Sequence, residues 1–246
     1  MRIALDTVDS TNVYAKALPV DESNELTLVT AEFQEAGRGA GTNKWESERS
    51  KNLLFSIIAY PQQLMANQMF ALSEVTALAI WDALNSYANG FQIKWPNDIY
   101  FGDKKAVGML IENDLQGKCV RRSVIGVGVN INQTVFLSDA PNPVSLAQIL
   151  GREEDRNQVL DRIMQQFTYY YGMMEKEQYA ELHNLYMQHL YRKGELHCYS
   201  DDKGTFVARI IDVEPSGHLI LEDENKSQRR YAFKEVRFIL NGNGKQ

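Results

Sequence analysis

Lys94-Trp95-Pro96-Asn97-Asp98-Ile99-Tyr100, continuing through Lys104-Lys105 to Gly108-Met109-Leu110-Ile111-Glu112, is the stretch on which the reading of this chain turns. Residues 91–95 pattern as a strand, and residues 108–112 as another. Between them Pro96-Asn97-Asp98 is turn chemistry, since proline presets φ and short polar side chains bond the backbone beyond them. Taken singly, these pieces read equally well as a solvated strand-turn-strand. Against that, a buried-looking strand that ends in Lys94 and delivers an amide and a carboxylate at its tip suits a metal–phosphate group. Asp98 can hold Mg²⁺ through oxygen, while Lys94 and Lys105 can neutralise phosphate charge. Downstream, Val124-Ile125-Gly126-Val127-Gly128-Val129-Asn130-Ile131-Asn132 sets two glycines inside a strand, where they weaken it unless something must approach the backbone closely.

Outward from this centre, residues 26–33 and 53–59 are strand-like, the second almost wholly apolar as if buried on both faces. Between 62 and 89 apolar residues recur at helical spacing (Phe70, Val75, Leu78, Trp81, Leu84), with Asn89-Gly90 as the stop. Residues 145–150 and 157–175 return to helical patterning. The mixture predicts an α+β or α/β domain over residues 1–192. From 193 to 246 the character changes to short strands at 195–199, 205–213, 218–221, 229–233 and 236–240, separated by Asp202-Lys203-Gly204 and Pro215-Ser216-Gly217, and predicts a small separate β-barrel. Residues 241–246 read as a frayed tail.

Between the first two strands lies Gln34-Glu35-Ala36-Gly37-Arg38-Gly39-Ala40-Gly41-Thr42-Asn43-Lys44-Trp45. Its glycines can turn successive N–H groups toward an anion and Arg38 adds a charged donor. On its own such a connection is first of all a surface turn, and it fits neither a P-loop nor a dinucleotide fingerprint.

Composition excludes several classes. With 246 residues, 44% hydrophobic and 24% charged, the chain can bury a proper core, and a net charge of −6 gives no global footprint for nucleic acid. No apolar run spans a bilayer, no signal-peptide pattern opens the chain, and Cys119 and Cys198 read as reduced thiols, so the expected compartment is the cytoplasm, without membrane attachment.

Together with Asp9-Ser10-Thr11-Asn12, these pieces resemble the biotin–protein ligases (biotin–[acetyl-CoA-carboxylase] ligases). That family's pattern runs through a Ser-Thr-Asn element, a Gln-x-x-Gly-Arg-Gly loop ending in Trp, a Lys-Trp-Pro-Asn-Asp turn, a Lys-x-x-Gly-hydrophobic-Leu-x-Glu strand and an Ile-Gly-x-Gly-hydrophobic-Asn strand. All five occur here in order between Asp9 and Asn132. The resemblance implies an α+β fold, with a mixed sheet packed with helices in a class II synthetase-like catalytic domain, followed by a small SH3-like barrel. It implies that Ser10, Thr11, Asn12, Gln34, Gly37, Arg38, Gly39, Lys105, Gly108, Gly126 and Gly128 bind biotin, and that Trp45, Lys94, Asn97, Asp98 and Asn130 serve ATP, with Asp98 toward Mg²⁺. Lys105 and Arg38 are then the catalytic pair. The residues alone do not choose between Lys104 and Lys105; the resemblance selects Lys105.

The implied reaction activates biotin with ATP to biotinyl-AMP and passes the biotinyl group to a lysine of a biotin carboxyl carrier protein or domain. A homodimer is the assembly the resemblance brings into view. The mixed anhydride must be kept from water, so residues 37–43 are expected to be mobile without ligand and ordered with it. One departure stands out: Ala40 occupies the position of the second arginine in the family's Gly-Arg-Gly-Arg loop, so either Lys44 or backbone N–H groups replace it, or the intermediate leaks. Lipoate ligases share the acyl-adenylate logic, but the Lys-Trp-Pro-Asn-Asp turn and C-terminal barrel argue against them. A DNA-binding repressor is disfavoured because few residues precede Asp9, leaving no room for a helix-turn-helix.

Overall fold

A computed structural model describes residues 1–23, 26–137 and 142–239; the tail expected at 241–246, and the end of the strand expected at 236–240, lie outside the described residues. The larger sheet comprises β1 (Arg2–Val8), β2 (Leu26–Gln34), β3 (Leu53–Ala59), β4 (Phe91–Lys94), β5 (Asp98–Phe101), β6 (Lys104–Gln116) and β7 (Cys119–Val129). Their spatial order is β1-β2-β3-β7-β6-β5-β4. β1 runs parallel to β2 and the other neighbours are antiparallel, so the sheet is mixed.

Alternation along β7 decides which face does what. Ile125, Val127 and Val129 enter the main core with Leu72, Val75 and Leu78 of α2 (Ala71–Asn85). Val124 faces the other way and packs with Ala15, Val29 and Ile58 under α1 (Thr11–Ala17). All seven residues of β3 are buried, because both faces of that strand are covered. Helices α3 (Leu146–Leu150), α4 (Arg156–Glu175) and α5 (Tyr179–Gln188) follow, with α4 and α5 packed on α2. The helix expected over 62–89 is shorter than its apolar spacing suggests. Leu64 and Met65 lie extended, bonded to the segment around Cys119, and a 3-10 turn at Ala66–Gln68 precedes α2.

The second sheet holds β8 (His197–Asp201), β9 (Gly204–Val213), β10 (Leu219–Asp223), β11 (Gln228–Tyr231) and β12 (Arg237–Phe238), in the order β11-β10-β9-β8-β12. It is antiparallel throughout, and among the described residues β11 and β12 do not pair to close a barrel. Nor does it pack apart from the rest: Tyr199, Ile210, Leu219 and Leu221 join the same buried cluster as the larger sheet. Polar contacts cross the joint as well. Trp95 Nε1 donates to the Gly217 carbonyl at 2.9 Å, and an Arg192 N–H donates to the Ile239 carbonyl at 2.9 Å.

His183 of α5 bridges Glu74 of α2 (2.8 Å) and Asp212 of β9 (2.9 Å). Burial holds the Glu74 carboxyl above its ordinary range; the hydrogen bond to Glu74, and then Asp212, hold the His183 imidazole above its own. Among the described residues no helix is long and apolar enough to cross a membrane.

Candidate active site

On the face of the larger sheet opposite the main core, Gly108 pairs with Gly128 across β6 and β7, and Gly126 pairs with Leu110. These glycines leave a strip of bare backbone, and two side chains occupy it. A Cβ at Gly128 would collide with the Trp45 indole, one at Gly108 would come within 2.7 Å of that ring, and one at Gly126 would collide with the Asn12 amide. The glycines therefore admit close approach rather than a bend in the strand.

Asn12, at the start of α1, belongs to a cluster of uncharged hydrogen-bonding groups. Its Nδ2 donates to the Leu110 carbonyl at 3.1 Å and to Glu112 Oε2 at 3.0 Å. The Ser56 hydroxyl lies 2.6 Å from Asn12 Oδ1 and 2.8 Å from Thr11 Oγ1. Thr11 gives both its backbone N–H (2.7 Å) and its hydroxyl (3.1 Å) to Gln34 Oε1 at the end of β2. Ser10, Thr11, Asn12 and Ser56 are all buried. Glu112 is held from outside by Lys16 at 3.1 Å and Arg38 at 3.7 Å.

The connection after β2 folds into a hairpin: Trp45 N–H donates to the Gly37 carbonyl at 2.9 Å, Gly39 N–H to the Asn43 carbonyl at 2.8 Å, and Arg38 opposes Lys44. This places the Trp45 ring over the glycine strip, with its Nε1 buried and lacking a hydrogen-bond partner among the described residues.

Beyond the indole the character turns cationic. Lys105 Nζ makes an ion pair with Asp98 Oδ1 at 2.6 Å and stands 5.8 Å from the Trp45 ring centroid. Asn97 Nδ2 donates to the Met109 carbonyl at 2.6 Å, fixing the turn that begins at the cis Trp95–Pro96 bond against β6. Lys94 Nζ sits between two aromatic faces, 5.0 Å from the Tyr100 centroid and 4.6 Å from that of Phe238. Burial pushes this ammonium below its ordinary range, while the Asp98 carboxylate pulls the other way. Arg38, Lys44, Lys94 and Lys105 thus face one carboxylate, Asp98, among the described lining residues, a balance that favours an anion.

The sequence profile of the biotin/lipoate A/B protein ligase family matches residues 4–130. The chain belongs to that family. Among its ligase relatives, the bifunctional ligase/repressor BirA of Bacillus spizizenii is 30% identical over 234 residues, covering 92% of this chain and 71% of that protein. The biotin–[acetyl-CoA-carboxylase] ligase of Paracoccus denitrificans is 30% identical over 226 residues, covering 88% and 92% respectively. In fold the ligase chain is similar to the biotin protein ligase from Aquifex aeolicus in complex with biotin and ATP, with a TM-score of 0.79 at 24% identity over 97% of this chain and 99% of that one.

The residues expected at the ligase site line this one cavity, with two exceptions. Gly37 stands behind it as the hairpin's hinge, where a Cβ would collide with the Trp45 carbonyl. Asn130 is buried outside it: β7 ends at Val129, and the Asn130 Nδ2 turns to the Val144 carbonyl (3.3 Å) and the Lys105 carbonyl (3.5 Å). It braces the strand that carries Lys105. Lys104 is exposed and does not line the cavity. Sequence reasoning missed Ser56, although a lone hydroxyl in the run Leu53-Leu54-Phe55-Ser56-Ile57-Ile58-Ala59 was a usable signal. It also missed Phe233, which lines the cavity from the second sheet and has no local signal at all.

Proposed function

We propose that this chain is a biotin–protein ligase, which activates biotin with ATP to biotinyl-5′-AMP and transfers the biotinyl group to a specific lysine of a biotin carboxyl carrier protein or domain, of the acetyl-CoA carboxylase type. The observation that carries the reading is the polarity of a single cavity: uncharged donors and acceptors (Thr11, Asn12, Gln34), backed by the buried Ser56, lie at one end of a glycine floor, Lys94 and Lys105 at the other, and Arg38 is ion-paired to Glu112 on the Asn12 side. A ureido ring is neutral and needs neutral partners, whereas a carboxylate meeting an α-phosphate needs cations.

In the first step a biotin carboxylate oxygen bonds to the α-phosphorus and the bond to pyrophosphate breaks. Lys105 and Arg38 are the groups assigned to the charge that develops there. In the second step the acceptor amine attacks the biotinyl carbonyl and AMP leaves. Trp45, Lys94 and Asn97 are assigned to the nucleotide, and Asn130 to holding the Lys105 strand. Asp98 would hold a magnesium ion that arrives with the phosphates. One carboxylate fits such an ion, which keeps much of its water, and it would supply charge neutralisation. The reading carries no repressor role, and the net charge of −6 supports its independence from nucleic acid. It places the enzyme in the cytoplasm, with a catalytic unit at 1–192 and a C-terminal unit from 193.

The test is biotin-dependent exchange of labelled pyrophosphate into ATP. Wild type should support exchange, and Lys105→Ala should reduce it by roughly 10²-fold or more. Faster exchange with lipoate than with biotin would move the chain to the lipoate branch of its family.

A further inference from the structure

The loop between β11 and β12 reaches from the second sheet to the mouth of the cavity. Its Phe233 is part of the lining. The next residue, Lys234, crosses the tip of the hairpin so closely that a Cβ at Gly41 would collide with its Nζ and lie 3.1 Å from its Cε. Gly41 has φ +70, a left-handed conformation that suits glycine, and its missing side chain is what lets the ammonium in. Lys234 is itself left-handed at φ 72, in a turn closed by Ala232 N–H donating to Glu235 Oε2 at 2.7 Å and Glu235 N–H donating to the Ala232 carbonyl at 3.1 Å. Two independent loops are thus shaped around one ammonium.

That ammonium is not ion-paired, although on its other side it borders a surface pocket where Asp201, Asp202 and Glu235 are balanced by Arg230 and Arg237. Among the described residues Lys234 makes no ion pair and no side-chain hydrogen bond, and its one recorded partner is the Phe233 ring at 5.7 Å. The hairpin tip beneath it, Ala40-Gly41-Thr42, brings no charge of its own. The walls already carry Arg38, Lys44, Lys94 and Lys105, so the mouth is where a bound anion would escape, and Phe233 gives the same spot an apolar neighbour that thins the water.

We propose that Lys234, supplied by the second sheet, is a binding residue for the phosphate of the acyl-adenylate: it closes over the hairpin tip and holds biotinyl-AMP until the acceptor amine arrives. This rests on the ligase reading above. It assigns the charge missing at Ala40 to a residue almost two hundred positions away, and not to Lys44 or to the hairpin backbone.

The experiment loads the full-length enzyme with biotin and ATP labelled in the α-phosphate, in the presence of magnesium. Free nucleotide is then removed, an unlabelled chase is added, and release of labelled biotinyl-AMP is followed together with biotinylation of an unrelated lysine-rich protein. Wild type, Lys234→Gln, Lys234→Arg and Lys44→Gln are compared. Lys234→Gln should release the intermediate roughly tenfold faster, the effect of losing one charged hydrogen bond, and should label the bystander protein, while Lys234→Arg should restore retention. Release from Lys234→Gln at the wild-type rate overturns the inference, as does fast release from Lys44→Gln alone. Wild type forming no labelled biotinyl-AMP would sink the ligase reading itself, a different result from either of these.

Discussion

Replacing Gly126 by alanine should drive a methyl group into Asn12, whose Oδ1 it would meet head-on and whose Cγ and Nδ2 would lie 2.7 and 2.9 Å away. Asn12 is 3% exposed and cannot simply rotate clear. Its amide is committed to Leu110 at 3.1 Å, to Glu112 at 3.0 Å and to Ser56 at 2.6 Å. Displacing it forfeits up to three hydrogen bonds at about 1 kcal/mol each, slightly more for the bond to a carboxylate. Overpacking adds about 1–3 kcal/mol, and the lower entropy of an unfolded alanine returns about 0.5–1 kcal/mol. The net cost is about 3–6 kcal/mol, which for a chain of this size lowers Tm by roughly 6–24 °C. The assay is a double-mutant cycle by urea and thermal denaturation of wild type, Gly126→Ala, Asn12→Ala and the pair. With Asn12 already cut back to its Cβ, the Gly126→Ala penalty should fall below about 1 kcal/mol, giving a coupling of about 2 kcal/mol or more. Equal penalties in the two backgrounds would refute the reasoning.

Three further outcomes are expected. Glu74 and His183 both have folded values raised above their ordinary 4.5 and 6.5, so the folded joint holds extra protons. Their stabilisation is full below those ordinary values and is lost as pH rises through the raised ones, so wild-type Tm should fall as pH climbs, through Glu74 from about 4.5 and through His183 from about 6.5; His183→Gln should flatten that slope, and an unchanged slope would discard the bridge as its cause. Gly172→Ala, inside α4 where a Cβ meets nothing within 4 Å, should stabilise by about 0.5–1 kcal/mol in a urea titration, and destabilisation there would contradict the open space. Trp95→Phe keeps the buried ring but leaves the Gly217 carbonyl without its indole donor, and should cost about 1–2 kcal/mol by the same titration; no loss would mean that bond adds nothing to the joint.

What could be read from the sequence followed the strength of the local signal. Leu53–Ala59 was legible to the residue because a strand covered on both faces is apolar at every position but one, Ser56. The two glycines of β7 announced a close approach, though not that Trp45 and Asn12 make it. β1 and α1 escaped: the first is a half-exposed edge strand, and the second has only seven residues, with a Ser10 side chain that makes no capping bond. α5 escaped as well. Asn130 reads like an extension of β7, but the strand ends one residue earlier and the amide turns away. The second sheet's strands were visible; its shared core with the larger sheet was not, because residues such as Ile210 and Leu221 give no sign of what they pack against.

The aromatic sandwich around Lys94 has a consequence for anyone shortening this chain. One slice, Tyr100, belongs to the larger sheet and the other, Phe238, to the last strand of the smaller one. A chain cut before β8 would forfeit more than an accessory module. Rehydrated on one side, the Lys94 ammonium would regain the proton affinity of a surface lysine, and the cavity would lose Phe233 from its lining.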